Sequence, residues 1–298
     1  MWSVAIRGSS TESIPGIPWR SVADPLRDPR GDRLPDEIAA ALEATAAERG
    51  AFGAHIQYWN EVGSTNDLAA AAADRGEPEG MTIVAGAQTM GRGRLGRTWF
   101  SPPGAGLYVS TIVRRPSLAP WLTLAGGVAV ADGIRGATAL PVQIKWPNDI
   151  VTVGGAGFRA RRKLAGILAE ASSGVAGVSH VVVGIGINLR TASFPPELAD
   201  RASSIETELG RAVDAGLVLG YVLAALHRTL VDLAGTGPPG LFGRWLALSP
   251  SAEGARIEWD TAGVTMTGTT AGLAEDGALR ARASDGVHRI ISGEVRWL

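Results

Sequence analysis

The stretch from Gly91 to Trp99 reads Gly-Arg-Gly-Arg-Leu-Gly-Arg-Thr-Trp, in which three glycines are interspersed with three arginines. Glycine lets the backbone approach a ligand closely, and planar guanidinium groups form paired hydrogen bonds with carboxylate and phosphate. A solvated basic surface loop has the same composition, so the stretch alone does not establish a site. The residues around it favour an anion-binding loop.

The spacing of this loop is close to that of a phosphate-binding P-loop. Gly91 and Gly96 enclose four residues, and Arg97 stands where a P-loop has lysine. A P-loop opens directly into a helix whose N-terminus holds the phosphate. Here Pro-Pro-Gly follows at 102–104 and breaks a helix. We therefore do not interpret the loop as a P-loop.

Lysine is rare in this chain, since only Lys145 and Lys163 occur among its 28 basic residues. A compact ammonium can act as a point charge where the broad guanidinium fork does not fit. Both lysines lie near other polar residues that end predicted strands. This placement makes them candidate catalytic cations rather than chance occurrences.

Elements that could position these residues follow from hydrophobic periodicity and turn signals. Strands are predicted at 56–59, 81–87, 107–113, 143–146, 150–153, 163–169 and 181–187, and helices at 34–49, 66–75, 120–140, 203–208, 217–233 and 241–248. Asp36 is expected to cap the first helix, and Ser64 or Thr65 the second. The irregular alternation predicts an α+β fold, a mixed sheet with helices covering one face.

The chain divides into three predicted parts. Residues 1–33 carry four prolines among mixed charges and are expected to form a flexible extension. Residues 34–250 form the predicted catalytic domain. Residues 251–298 hold five short predicted strands, at 256–259, 264–270, 278–283, 287–291 and 294–298, which indicate a small all-β barrel.

Composition limits the possible chemistry. The chain has 298 residues, 45% hydrophobic residues, no cysteine and a formal charge of −1. Thiolate chemistry and cysteine metal sites are excluded, and the four histidines show no ligand spacing, so no protein metal site is assigned. No signal peptide or membrane span is apparent, and one N-terminal helix is too little for a DNA-reading module. We expect a cytoplasmic protein that binds neither nucleic acid nor membrane.

Five motifs together resemble those of the biotin protein ligases of the type that lacks an N-terminal DNA-binding domain. They are Gly-Ser-Thr-Asn at 63–66, Gln88 with the loop at 91–97, Lys-Trp-Pro-Asn-Asp at 145–149, Arg-Lys-Leu-Ala-Gly-Ile-Leu at 162–168 and Gly-Ile-Gly-Ile-Asn at 184–188. They occur in the order of the family. The resemblance extends from about residue 51 to the C-terminal strands.

The resemblance implies a catalytic domain with the class II synthetase-like fold and two half-reactions. Biotin and ATP with Mg²⁺ form biotinyl-5'-AMP and pyrophosphate, and a lysine of a biotin carboxyl carrier domain then attacks the adenylate. It implies catalytic roles for Lys163, Arg94 and Asp149. Biotin binding is implied for Ser64, Thr65, Asn66, Gln88, Arg92, Gly93, Arg94, Lys163 and Gly166, and ATP binding for Arg94, Arg97, Trp99, Asn148, Lys163 and Asn188.

Some alternatives remain open. Trp99 could belong to the core, Asn188 could only end a strand, and Asp149 could be a turn residue. A lipoate ligase shares the adenylation logic, and a non-catalytic biotin-sensing regulator is a second alternative. The segment 154–162 is longer than the family pattern predicts, and the chain could be a monomer or a homodimer.

Overall fold

The structure is a computed structural model that describes residues 5–6, 31–154, 161–174, 177–190, 194–261 and 263–298. Most of the predicted extension, at 1–4 and 7–30, lies outside these residues. The same holds for 155–160 of the predicted hairpin insertion. Both predictions therefore stay predictions.

Most described elements follow the sequence prediction in kind and order, but β1 and α5 were not predicted, and the helix predicted at 34–49 is divided into α1 and α2. The strands are β1 (Ala5–Ile6), β2 (Ile56–Trp59), β3 (Thr82–Ala85), β4 (Gly106–Val113), β5 (Val142–Lys145), β6 (Asp149–Thr152), β7 (Lys163–Gly174), β8 (Gly177–Asn188), β9 (Glu253–Thr261), β10 (Val264–Leu273), β11 (Leu279–Ala283), β12 (Gly286–Ile290) and β13 (Val295–Trp297). The helices are α1 (Asp36–Ala44), α2 (Ala46–Arg49), α3 (Thr65–Asp74), α4 (Leu122–Thr138), α5 (Pro196–Ala199), α6 (Ile205–Leu209), α7 (Ala215–Thr236) and α8 (Pro238–Leu248).

Two predicted helix starts are wrong in detail. Asp36 is the first residue of α1 rather than its cap, because Pro35 holds the cap position and the Asp36 carboxylate pairs with Arg33 at 2.7 Å. Pro238 begins α8 instead of preceding it. Proline is tolerated there because the first turn of a helix leaves its N–H groups unbonded.

The main sheet is mixed, with the strand order β2-β3-β4-β8-β7-β6-β5. β2 and β3 are parallel, the other neighbours along this order are antiparallel, and β1 pairs in parallel with β7. β4 and β8 pair from Gly106 with Asn188 to Val113 with Val181. This register places the start of β4 beside the end of β8, at the edge where the site forms.

Alternate residues of β8 point to opposite faces of the main sheet. Val183 and Ile185 belong to the large core, which includes apolar residues of α4 and α7. The segments 116–138 and 215–236 are long and apolar enough to cross a membrane. Most of the first segment is buried, as is just over half of the second. The two helices they contain, α4 and α7, pack against each other, and a Cβ at Gly133 would come within 2.6 Å of Val222. Core packing therefore accounts for their hydropathy.

The opposite face carries α3, so helices lie on both faces of the sheet rather than on one. Ala69 and Ala72 of α3 form a second, smaller core with Ile83, Tyr108 and Ile112. The start of α3 lies beside the ends of β3 and β8. It forms one wall of the candidate site.

The predicted C-terminal all-β unit is confirmed as an antiparallel sheet in the order β12-β11-β10-β9-β13. It is not packed separately, because Ile257, Trp259 and Leu279 belong to the large core of the main sheet. The indole N–H of Trp146 donates to the carbonyl of Gly277 at 3.2 Å. These contacts bring the last strand to the candidate site.

Candidate active site

Segments that are distant in sequence meet at one edge of the main sheet. The glycine-arginine loop, residues 91–99, follows β3, while β7 begins at this end of the sheet and β8 ends there. β6 runs antiparallel to β7 and starts at Asp149, which pairs with Gly166. Two neighbouring cavities form, one of about 400 Å³ and one of about 50 Å³. Loop and strand ends of this kind are where a rigid sheet commonly carries a binding site.

The smaller cavity is lined by all nine residues for which the resemblance implies biotin binding, namely Ser64, Thr65, Asn66, Gln88, Arg92, Gly93, Arg94, Lys163 and Gly166. Trp99, Asn148, Gly184 and Gly186 also line it. The structure therefore brings these predicted residues together around one space.

One wall of the smaller cavity is a chain of hydrogen-bonded polar groups. The backbone N–H and hydroxyl of Thr65 donate to Gln88 Oε1 at 2.9 and 3.1 Å. Gln88 Nε2 donates to Ser101 Oγ at 3.0 Å. The buried Ser110 hydroxyl lies 2.5 Å from Asn66 Oδ1 and 2.7 Å from Thr65 Oγ1. These bonds fix the donors and acceptors that face the cavity.

The floor of this cavity is backbone, because Gly166, Gly184 and Gly186 present no side chain there. A Cβ at Gly186 would lie 2.5 Å from the indole of Trp99, and one at Gly166 would lie 3.0 Å from it. Trp99 packs against the second core and lines both cavities. It is therefore both a packing residue and part of the wall between the cavities.

Lys163 lies where the two cavities meet. Its Nζ is 2.7 Å from Asp149 Oδ1 and 5.0 Å from the centre of the Trp99 ring. Arg94 reaches the same place, with Nη1 3.5 Å from Asn148 Oδ1, and burial lowers the pKa of its guanidinium. Both cations therefore line both cavities, beside the adjacent residues Asn148 and Asp149, an arrangement that can stabilise developing negative charge.

The two asparagines of the predicted nucleotide site are held by backbone carbonyls. Asn148 Nδ2 donates to Ile167 O at 2.9 Å. Asn188 Nδ2 donates to Ser203 O at 3.0 Å and to Lys163 O at 3.3 Å. Asn188 therefore ties the start of β7 to the segment before α6, and it also lines the larger cavity.

The larger cavity is lined by all six residues for which ATP binding is implied, namely Arg94, Arg97, Trp99, Asn148, Lys163 and Asn188, together with Asp149. Lys145 also lines it, with Nζ 4.8 Å from the centre of the Trp297 ring, and burial lowers its pKa. Among the described residues, no group of three acidic, histidine or cysteine side chains forms a metal site.

Comparison with known proteins identifies the family. Residues 62–188 match the biotin/lipoate A/B protein ligase family. The bifunctional ligase/repressor BirA of Bacillus spizizenii is 33% identical over 250 residues, which cover 82% of this chain and 74% of the relative. The biotin–[acetyl-CoA-carboxylase] ligase of Paracoccus denitrificans is 34% identical over 222 residues, 72% of this chain and 88% of the relative. The chain belongs to the biotin protein ligases of this family.

Solved structures agree with this assignment. The biotin protein ligase of Aquifex aeolicus in complex with biotin and ATP has a TM-score of 0.69 and 28% identity, covering 82% of this chain and 99% of that chain. The biotin protein ligase of Leishmania major in complex with biotinyl-5-AMP has a TM-score of 0.56 and 23% identity, so it supports the fold alone.

The family match of this biotin ligase ends at residue 188, and the structure adds site residues beyond it. Glu294 lies in the larger cavity and accepts a hydrogen bond from Arg97 Nη2 at 2.6 Å, which lowers the pKa of its carboxyl group. Arg201 lies 3.5 Å from Glu294. Both residues lie outside the set predicted from sequence, as do Ser101 and Ser110. Of these four residues, only Ser110 could have been found from sequence, because it is a small polar residue inside an otherwise mostly apolar strand.

Proposed function

We propose that this protein is an ATP-dependent biotin protein ligase that forms biotinyl-5'-AMP and transfers biotin to a lysine of a biotin carboxyl carrier domain. The convergence of Lys163 and Arg94 at the junction of a small and a large cavity carries this proposal. Relatives that are named biotin–[acetyl-CoA-carboxylase] ligases support the proposal.

The smaller cavity would take the bicyclic head of biotin. A ureido group offers one strong acceptor and two N–H donors, and Thr65, Gln88 and Asn66 present fixed polar atoms that could match them. The glycines at 166, 184 and 186 let Trp99 and Asn66 pack closely against the sheet, where they would border the bound ring. The carboxylate tail of biotin would then point toward Lys163 and Arg94.

The larger cavity would take ATP. Arg97, Lys145 and Lys163 line it together with Arg94, so its charge suits a triphosphate. Trp99 offers a ring face on which adenine could stack. Asn148 and Asn188 supply amide groups near the expected position of the nucleotide.

In the first half-reaction a biotin carboxylate oxygen attacks the α-phosphorus, an O–P bond forms and pyrophosphate leaves. Both reactants are anionic, so Lys163 and Arg94 would reduce their repulsion and stabilise the charge that develops on the phosphoryl oxygens. The Asp149 carboxylate, 2.7 Å from Lys163, would orient that lysine. In the second half-reaction Asp149 would position the amine of the carrier.

Magnesium would enter with the nucleotide. Mg²⁺ is usually held by one or two carboxylates and by the phosphates of the substrate rather than by a complete protein cage. Asp149, one of the carboxylates that line the larger cavity, is our candidate for such a role, and the ion would neutralise phosphate charge. We also propose a cytoplasmic location, where carboxylase carrier domains would be available.

Mass measurement of a biotin carboxyl carrier domain incubated with the protein, biotin and MgATP tests the function. We expect a mass increase of one biotinyl group on one lysine, and none without ATP. Labelling with lipoate in place of biotin would indicate a lipoate ligase instead. Biotin binding without carrier labelling and without pyrophosphate release would indicate a regulator.

A further inference from the structure

Glu170 lies on β7 and contacts Asn66 and Arg92, two residues that line the smaller cavity. Its side chain is 14% exposed, and its Oε2 accepts hydrogen bonds from Asn66 Nδ2 at 2.6 Å and from Arg92 Nη2 at 3.1 Å. A charged group this buried requires such partners. Glu170 therefore links the start of α3 to the glycine-arginine loop.

Asp67, in the first turn of α3, holds the other end of the same guanidinium. Arg92 Nη1 donates to Asp67 Oδ2 at 2.7 Å. Burial alone lowers the pKa of Arg92, but the bonds to Asp67 and Glu170 outweigh burial and raise it. The charge of Arg92 is thus balanced within the protein by two carboxylates.

The position of Arg92 also determines the position of the loop. Gly93 N donates to Arg97 O at 2.7 Å, and Trp99 N donates to Gly91 O at 2.9 Å. Arg92 lies between these bonds, opposite Thr98. When its guanidinium is held between α3 and β7, the base of the loop is held beside the cavity.

Building on the proposed function, we propose that Glu170 and Asp67 are positioning residues for biotin recognition. They hold Arg92 and Asn66, two neighbouring parts of the cavity wall, in the geometry that binds the bicyclic head. Both carboxylates pair with Arg92, whereas Lys163 pairs with Asp149 and Arg94 lies beside Asn148. Their loss should therefore weaken biotin binding and leave the chemical step nearly unchanged.

The test uses Glu170→Gln and Asp67→Asn in the full chain. Pyrophosphate release is measured without carrier while biotin is varied at saturating ATP. We expect the biotin KM of Glu170→Gln to rise roughly tenfold, the scale of one charged hydrogen bond. Asp67→Asn should raise it about threefold, because an exposed pair contributes less. The kcat and the ATP KM should stay within about twofold of those of the unsubstituted protein.

Two further variants separate positioning from general stability. Asp67→Glu keeps the charge and should restore most of the biotin affinity. Glu79→Gln is the matched control, because Glu79 is 22% exposed, pairs with Arg115 at 2.7 Å and precedes β3 at the opposite end of the sheet. It should leave the biotin KM unchanged.

An unchanged biotin KM in both Glu170→Gln and Asp67→Asn would overturn the proposal, as would a fall in kcat at constant KM. If Glu170→Gln does not fold, Asp67→Asn and its Asp67→Glu rescue decide the question. Failure of the unsubstituted protein to release pyrophosphate with biotin would instead overturn the proposed function, and this inference with it.

Discussion

At the scale of single residues, Lys163 is the side chain on which the proposed chemistry depends most. Its ammonium lies between Asp149 and the ring of Trp99 at the junction of the cavities. Lys163→Ala should slow biotin-dependent pyrophosphate release by roughly 10²-fold or more, the scale of one preorganised electrostatic donor. Lys163→Arg should also fail substantially, because the fork is larger and directs its charge differently.

Lys145→Arg provides the comparison for Lys163→Arg, since these are the two lysines of the chain. Lys145 Nζ lies over the Trp297 ring, and an arginine can stack on an aromatic face in a similar way. We expect this variant to be the milder of the two. Near-normal release by Lys163→Ala would show that the catalytic assignment is wrong.

The substitution Gly186→Ala tests whether the position of Trp99 matters for ATP binding. An alanine Cβ would lie 2.5 Å from the indole, so the ring must move. Overpacking of this kind costs about 1–3 kcal/mol, and we expect the ATP KM to rise by roughly tenfold. Gly243→Ala is the matched control, because no atom lies within 4 Å of a Cβ there and alanine favours the helix. Equal ATP KM values for the two variants would contradict the assigned role of Trp99.

At the scale of elements, the glycine-arginine loop combines a fixed base with an exposed tip. Two backbone hydrogen bonds close the base, while Leu95 at the tip is 66% exposed with φ of 57°. Ordering glycines costs conformational entropy, which ligand contacts can offset. We expect trypsin to cut near Arg94 in the free protein and biotin with ATP to protect it.

The same digest contains its own control. Arg211, exposed in the loop between α6 and α7, is far from the glycine-arginine loop in sequence and outside the residues that line the two cavities. Cleavage there should not depend on ligand. Equal cleavage near Arg94 with and without biotin plus ATP would argue against ordering of the loop by its ligands.

At the scale of the whole molecule, the C-terminal sheet and the main sheet share one hydrophobic core. Ile257 and Trp259 are buried in the large core, so deletion of 251–298 would expose apolar surface on α8 and β5. We expect the truncated protein to lose cooperative thermal unfolding and pyrophosphate release.

A point substitution on the outer side of the same sheet is the control for this deletion. Val264 is 57% exposed, and Val264→Ser should keep both the unfolding temperature and the activity. A truncated protein that unfolds cooperatively and releases pyrophosphate at the full rate would show that the sheet is only appended.

The sequence alone determined the fold class, the order of the main elements and the family motifs, because these depend on local periodicity and on short contiguous runs. Gln88, Asn148 and Lys163 could be singled out before their neighbours were known. The residues held by distant partners could not be identified from sequence. Glu170 and Glu294 lie outside the quoted motifs, and their roles arise from partners 78 and 197 residues away, Arg92 and Arg97.

The tertiary structure also decided which side chains share a cavity. Strand pairing brings Gly186 of β8 to Gly166 of β7, and only this register places Trp99 across both glycines. Contiguous motifs are conveyed by the sequence itself, whereas contacts across a sheet depend on register and packing between segments far apart in the chain. For that reason the two cavities and the Glu170–Arg92–Asp67 contacts appeared only in the folded protein.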